Sequence, residues 1–216
     1  MEGVRILING GAFQSDVCEM LVKYPEYAQY LGWFNTPRTC CSFERWRDYR
    51  PRLPIAVDNA AYVKFNAKRY RSMIERIEAA AVEIEWITVQ DSVGNADLTL
   101  YLFEWWEYEL RKLPLALVGQ DRMEDCPIPW NRFQCFFIGG STEWKLSRSA
   151  ADLVTEAKKR GKTVHMGRVN SDKRLKYAYE LGCDSVDGTG YSQWTRKYLL
   201  PALHYMHGLH MQTSLI

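Results

Sequence analysis

The feature that most constrains this chain is a repeated alternation of short apolar runs with longer amphipathic ones. Val4–Asn9, Tyr30–Asn35, Pro54–Asp58, Ile84–Gln90, Leu115–Gly119, Cys135–Ile138, Thr163–Met166 and Asp184–Val186 are strand-sized. Between and after them, Ser15–Lys23, Ala67–Ala81, Ala96–Arg111, Ala150–Lys159, Lys173–Leu181 and Trp194–His207 carry helical patterning. Strands alternating with helices predict a parallel sheet with crossover helices. About eight such units, counting the weaker run Tyr30–Asn35, are what closes an α/β barrel of the (β/α)8 TIM type. An open doubly wound sheet is the alternative, and the lack of a G-x-G-x-x-G after the first run lowers it. At 216 residues the length suits one domain, so 1–216 is read as a single barrel domain.

Composition enters as a set of exclusions. No signal peptide is recognisable, and no apolar stretch is long enough to span a bilayer, which predicts a soluble, cytoplasmic protein with no membrane partner. The six cysteines (Cys18, Cys40, Cys41, Cys126, Cys135, Cys183) form no C-x-x-C pair, as expected of reduced thiols. A net charge of +2 neither requires nor excludes a nucleic-acid partner, because clustering decides that.

In a parallel barrel the chemistry gathers at the C-terminal ends of the strands. The residues there are Asp58 with Asn59, then Asp91, Gln120, Gly139 with Gly140, Met166 with Gly167, and Asp187 with Gly188. One aspartate after a strand is usually a helix cap or a turn former. Three at the same end of different strands raise one another's pKa and imply a use. The turn Gly139-Gly140-Ser141-Thr142 could offer backbone N–H groups to a ligand, or be only a tight turn. His204, His207 and His210 recur every three residues, but no other soft ligand accompanies them, so no metal site is expected. The stretch Thr36–Leu53 reads as a loop with Arg38, Arg45, Arg47, Arg50 and Arg52 among Phe43, Trp46 and Tyr49. That composition suits phosphates and stacked bases, and equally a solvated loop pinned by its aromatics. Arg168, Lys173 and Arg174 could add phosphate contacts, or form a solvated helix face.

Six segments then stand out in order: V-D-N-A-A-Y (Val57–Tyr62), T-V-Q-D (Thr88–Asp91), L-V-G-Q (Leu117–Gln120), F-I-G-G (Phe137–Gly140), H-M-G-R-V (His165–Val169) and S-V-D-G-T (Ser185–Thr189). Together they resemble the active-site segments of the tRNA-guanine transglycosylase superfamily. They are more similar to its phage and bacterial DNA branch, the 7-deazaguanine DNA transglycosylases. The resemblance runs from about Pro54 to Thr189. It implies a barrel that exchanges guanine for a 7-deazaguanine, such as 7-cyano-7-deazaguanine, without cutting the backbone. By the same resemblance Asp187 is the nucleophile and Asp58 the general acid/base. Tyr62 and Met166 flank the base, Asp91 reads its N–H edge, and Gln120 with the Gly139–Gly140 backbone lies near its carbonyl oxygen. The tRNA enzymes carry a C-x-C-x-x-C zinc site that this chain lacks, and they are longer, which favours DNA over tRNA as partner. A homodimer is possible, as is a viral origin with the host cytoplasm as the compartment.

The chemistry fits the residues without a cofactor. Exchange at C1′ passes through an oxocarbenium-like centre that one carboxylate can trap while a second moves the proton. An ionised Asp91 can accept from both N–H donors of guanine, and a missed buried pair costs about 1–3 kcal/mol, enough to reject adenine. Tyr62 and Met166 would add stacking, although ordinary core packing explains Met166 as well. The target base must leave the stack or be unpaired. The alternatives are exchange on tRNA, an N-glycoside hydrolase with water as acceptor, and a non-catalytic barrel subunit that binds nucleic acid.

Overall fold

In this computed structural model, residues 3–9, 15–39, 43–49 and 52–213 are described. Cys40, Cys41, Arg50 and the side chain of Trp46 lie outside the described residues.

Eight strands form in chain order: β1 Arg5–Asn9, β2 Leu31–Asn35, β3 Ile55–Val57, β4 Trp86–Thr88, β5 Leu115–Gly119, β6 Cys135–Ile138, β7 Thr163–Met166 and β8 Ser185–Asp187. All neighbours are parallel, and β8 returns to β1 through Arg5↔Ser185, Ile6↔Val186 and Leu7↔Asp187, closing the barrel. The fold is therefore a (β/α)8 barrel. The weaker run forms a full member: β2 pairs with β1 from Ile6↔Leu31 to Asn9↔Phe34 and is buried throughout.

Helices start where capping residues stand. The side chains of Asn66, Asn95, Ser147 and Ser171 accept the first orphan N–H groups of α3 (Ala67–Ala79), α4 (Ala96–Leu110), α6 (Arg148–Lys159) and α7 (Asp172–Leu181). Each such cap contributes about 1 kcal/mol. The other helices are α1 Ser15–Lys23, α2 Phe43–Asp48, the short α5 Thr142–Lys145 and α8 Thr189–Gln193, and α9 Leu200–Thr213.

Side chains alternate across each strand, so one parity faces the helices and the other the barrel axis. Leu7, Phe34, Ala56, Trp86, Ala116, Val118, Cys135 and Phe137 fill the interior. Their opposite-parity neighbours, among them Ile6, Ile8, Ile55, Val57, Leu117, Ile138, Met166 and Val186, form the layer under the helices. The interior plug is aromatic, with Trp86 meeting Phe34 and Phe137 edge-on at 6.1 and 5.8 Å. Burying each large apolar side chain stabilises the fold by about 1.5–3 kcal/mol.

Two expectations change. Thr36–Leu53 is not all loop, because Phe43 is buried and anchors α2. The expected helix Trp194–His207 is not one piece: Thr195–Leu199 forms a π-helical turn before α9. The wide turn is closed by the Leu200 N–H on Thr195 O. The spacing of His204 and His207 is a packing pattern, with their rings set against Tyr24, Tyr27 and Tyr30. Among the described residues no helix is long and apolar enough to cross a membrane.

Candidate active site

Eight parallel strands bring eight C-terminal ends to one rim. There, a cavity of about 460 Å³ opens, lined by Asp58, Asp91 and Asp187 with Gln120, Tyr62 and Arg168 among others. That volume suits a small organic ligand. Its floor is the aromatic plug, through Phe34 and Phe137.

Asp58 follows β3 in the inward parity. Its Oδ2 accepts the N–H of Ala60 at 2.9 Å, and its Oδ1 the hydroxyl of Thr88 at 3.2 Å. Burial pushes the Asp58 carboxyl up to about 7, with the charges of Asp91 and Asp187 adding and the Ala60 N–H opposing. Asp91 follows β4 and is held on both oxygens. The buried Asn59 donates Nδ2 to Oδ1 at 2.9 Å, and Gln120 donates Nε2 to Oδ2 at 2.7 Å. Burial raises Asp91 to about 6, against the Asn59 hydrogen bond and the positive charge of Arg168. Carboxyls near these values can exchange protons at neutral pH.

Asp187 is the last residue of β8, one position beyond the expected run. Its Oδ1 lies 3.0 Å from Nε2 of His165 and accepts the N–H of Arg168 at 3.2 Å. Nδ1 of His165 lies 2.8 Å from the hydroxyl of Ser185.

The glycine turn does not offer the donors expected of it. The N–H of Gly139 goes to Gly119 O, that of Gly140 to Gln120 Oε1, and that of Ser141 to Asp121 Oδ2. Gly140 sits at φ +54, where a side chain would also meet Trp144 and Asp121. Its role is to make a close turn. The carbonyls of Gly139 and Gly140 instead accept from the Arg168 guanidinium. Gln120 is likewise committed, taking the N–H groups of Gly94 and Gly140 while donating to Asp91.

Met166 is fully buried in the layer under the helices and does not line the cavity. Strand parity is the reason: His165 faces the axis, so Met166 faces away. Tyr62 stands at the mouth, 63% exposed, with the Arg168 guanidinium 4.4 Å from its ring centre.

The basic residues divide. Arg38 and Arg168 line the cavity. Arg174 reaches the Arg168 carbonyl at 3.5 Å, while Lys173 and Arg45 are exposed on α7 and α2 outside the lining. Arg47 lies at the other end of the barrel, against Leu53, Pro54 and Ile55 at the start of β3, and donates to Ala80 O. The chain must return there to begin the next parallel strand, and it carries Arg47 with it.

Sequence reading placed Asn59 at a strand end but gave the supports no role. Asn59 and Thr88 orient two carboxyls, but amides and hydroxyls at strand ends carry no distinguishing signal. His165 was hidden inside an apolar run. Lys145 is buried under the rim and donates to Gly167 O, and burial lowers its pKa to about 7 with help from the Arg168 charge. Among the described residues, no group of three or more His, Cys, Asp or Glu could hold a metal ion.

No family model and no curated protein matches the chain. Among solved structures, the PaMucR phosphodiesterase in its c-di-GMP complex superposes with a TM-score of 0.44 at 14% identity, over 81% of this chain and 72% of that one. A likeness of that size carries no argument about activity.

Proposed function

We propose that this protein exchanges a guanine base in DNA for a 7-deazaguanine through a covalent bond between Asp187 and C1′. The observation that carries the reading is the trio of carboxylates in one cavity, each held differently. Asp91 is fixed on both oxygens by amide donors, yet each oxygen keeps a lone pair for the two N–H donors of guanine. Asp58 is raised to about 7 and so can give and take a proton at neutral pH. Asp187 keeps Oδ2 without a hydrogen-bond partner among the described residues, while Oδ1 is held.

The steps balance. Asp187 Oδ2 bonds to C1′ as the C1′–N9 bond breaks, and the electron pair leaves with guanine, which takes the proton of Asp58. The incoming 7-deazaguanine gives its proton to Asp58, its nitrogen bonds C1′, and the pair of the C1′–O bond returns to Asp187. Tyr62 is placed to cover the base, and the aromatic floor excludes water from below. Arg38 and Arg168 supply positive charge at the mouth for phosphates.

The test is incubation with guanine-containing DNA, and separately tRNA, plus 7-cyano-7-deazaguanine, with digested nucleosides read by mass spectrometry. Modified deoxyguanosine from wild type but not from Asp187→Ala is the expected result. Modified tRNA alone would keep the chemistry and change the substrate. Abasic product without added deazaguanine would make it a hydrolase, and no product at all would leave a binding barrel.

A further inference from the structure

Ser185, His165 and Asp187 stand in one hydrogen-bonded line, the residue types of a serine-hydrolase triad, with their exposure inverted. Ser185 is 3% exposed and His165 is fully buried, while the Asp187 side chain reaches the cavity at 18%. A buried hydroxyl cannot attack a ligand, so the reactive end of this line is the carboxylate. His165 cannot swing either. It stacks on Phe34 at 5.8 Å and 14°, and packs against Phe137 at 4.5 Å and Trp86 at 4.9 Å.

We propose that His165 is a positioning residue for Asp187, donating through Nε2 to Oδ1 so that Oδ2 alone is presented to C1′. This rests on the reading of Asp187 as nucleophile. The tautomer follows from the partners. Burial depresses the imidazole's pKa, against the Asp187 hydrogen bond, which leaves a neutral ring with one N–H. A carboxylate only accepts, so the proton sits on Nε2, and Nδ1 takes the Ser185 hydroxyl. With the Arg168 N–H also on Oδ1, the carboxylate plane is fixed from two directions. In the covalent intermediate Oδ1 becomes the ester carbonyl oxygen. As C1′–Oδ2 breaks, negative charge returns to the carboxylate and the Nε2–H bond strengthens. His165 thus favours the second half of the exchange more than the first.

Two measurements test this. In ¹⁵N-histidine-labelled protein, the His165 signals are identified by their loss in His165→Phe. They should show a neutral Nε2–H ring through neutral pH and move in Asp187→Asn. An Nδ1–H ring or an imidazolium at neutral pH overturns the proposal, whether or not exchange occurs. In kinetics, His165→Phe keeps the ring stack and should lower kcat about 10- to 100-fold with KM for DNA unchanged. Covalent adduct should accumulate, and His165→Gln should recover part of the rate. A folded His165→Phe with wild-type kcat, beside an inactive Asp187→Asn, sinks the role of His165 alone. An active Asp187→Asn sinks the nucleophile reading and this proposal with it.

Discussion

The two ends of the barrel treat charge in opposite ways. At the N-terminal rim, charges meet their opposites: Arg5 bonds Glu85 at 2.5 Å, and Lys158 bonds both oxygens of Asp184 at 2.7 and 2.8 Å. At the C-terminal rim, the three cavity carboxyls are held by neutral donors: Asn59 and Gln120 on Asp91, Thr88 and a backbone N–H on Asp58, and His165 on Asp187. Asp184 and Asp187 are three positions apart, yet only Asp184 is paired with a lysine among the described residues. Neutral donors orient a carboxyl without cancelling its charge. Burial, only partly opposed by those donors, leaves Asp58 and Asp91 with raised pKa values, at a cost in stability. The lower rim cancels its carboxylate charges, and the upper rim orients its own without cancelling them.

Four changes would break or sharpen this contrast. The largest effect is expected of Asp187→Asn, which keeps the His165 and Arg168 contacts but removes the charge of the proposed nucleophile. Exchange should fall by about 10³-fold or more while the melting temperature holds, read by nucleoside mass spectrometry and calorimetry.

Next is Asp58→Asn. A carboxyl raised from 3.8 to about 7 is protonated in the folded state over a range where the unfolded chain has lost that proton. Stability therefore falls as pH rises from about 4 to 7. Removing the group should stabilise the protein at pH 8 by up to about 4 kcal/mol, and by little below pH 4. Denaturant midpoints across pH would show it, and an equal effect at both pH values would contradict it. In the wild type, kcat/KM should rise as Asp91 ionises near 6 and fall as Asp58 loses its proton near 7.

A smaller effect is expected of Gln120→Leu, which frees one oxygen of Asp91 and orphans the N–H groups of Gly94 and Gly140. KM for the base should rise about 5- to 150-fold, matching about 1–3 kcal/mol, and discrimination against adenine should weaken. The smallest belongs to the other end. Arg5→Met breaks a partly exposed pair and should cost no more than about 1 kcal/mol, with exchange unchanged. Lost activity there would mean that the two rims are coupled.

Much of this was legible beforehand for a physical reason. Strand–helix alternation leaves few packings for eight strands, and Asp58, Asp91 and Asp187 each end or closely follow a strand, so a closed barrel collects them. The limits are equally specific. Met166 stands in the segment H-M-G-R-V, but its direction depends on strand parity, which the segment alone does not display. Arg47 belongs to a basic run, yet the run turns back toward the start of β3. Gln120 and the glycine turn line the cavity, but their hydrogen bonds are taken by Asp91 and by one another.

The sequence by itself determined the periodicity, the caps and the strand-terminal carboxylates, because those rest on local patterns of burial and hydrogen bonding. Only the tertiary structure decided which donors hold which carboxyl. Asn59 meets Asp91 across 32 positions, Gln120 across 29, and His165 meets Asp187 across 22. Those pairings depend on register between separate strands. Register is set where the barrel closes and side chains of one parity share the axis, which no single segment contains.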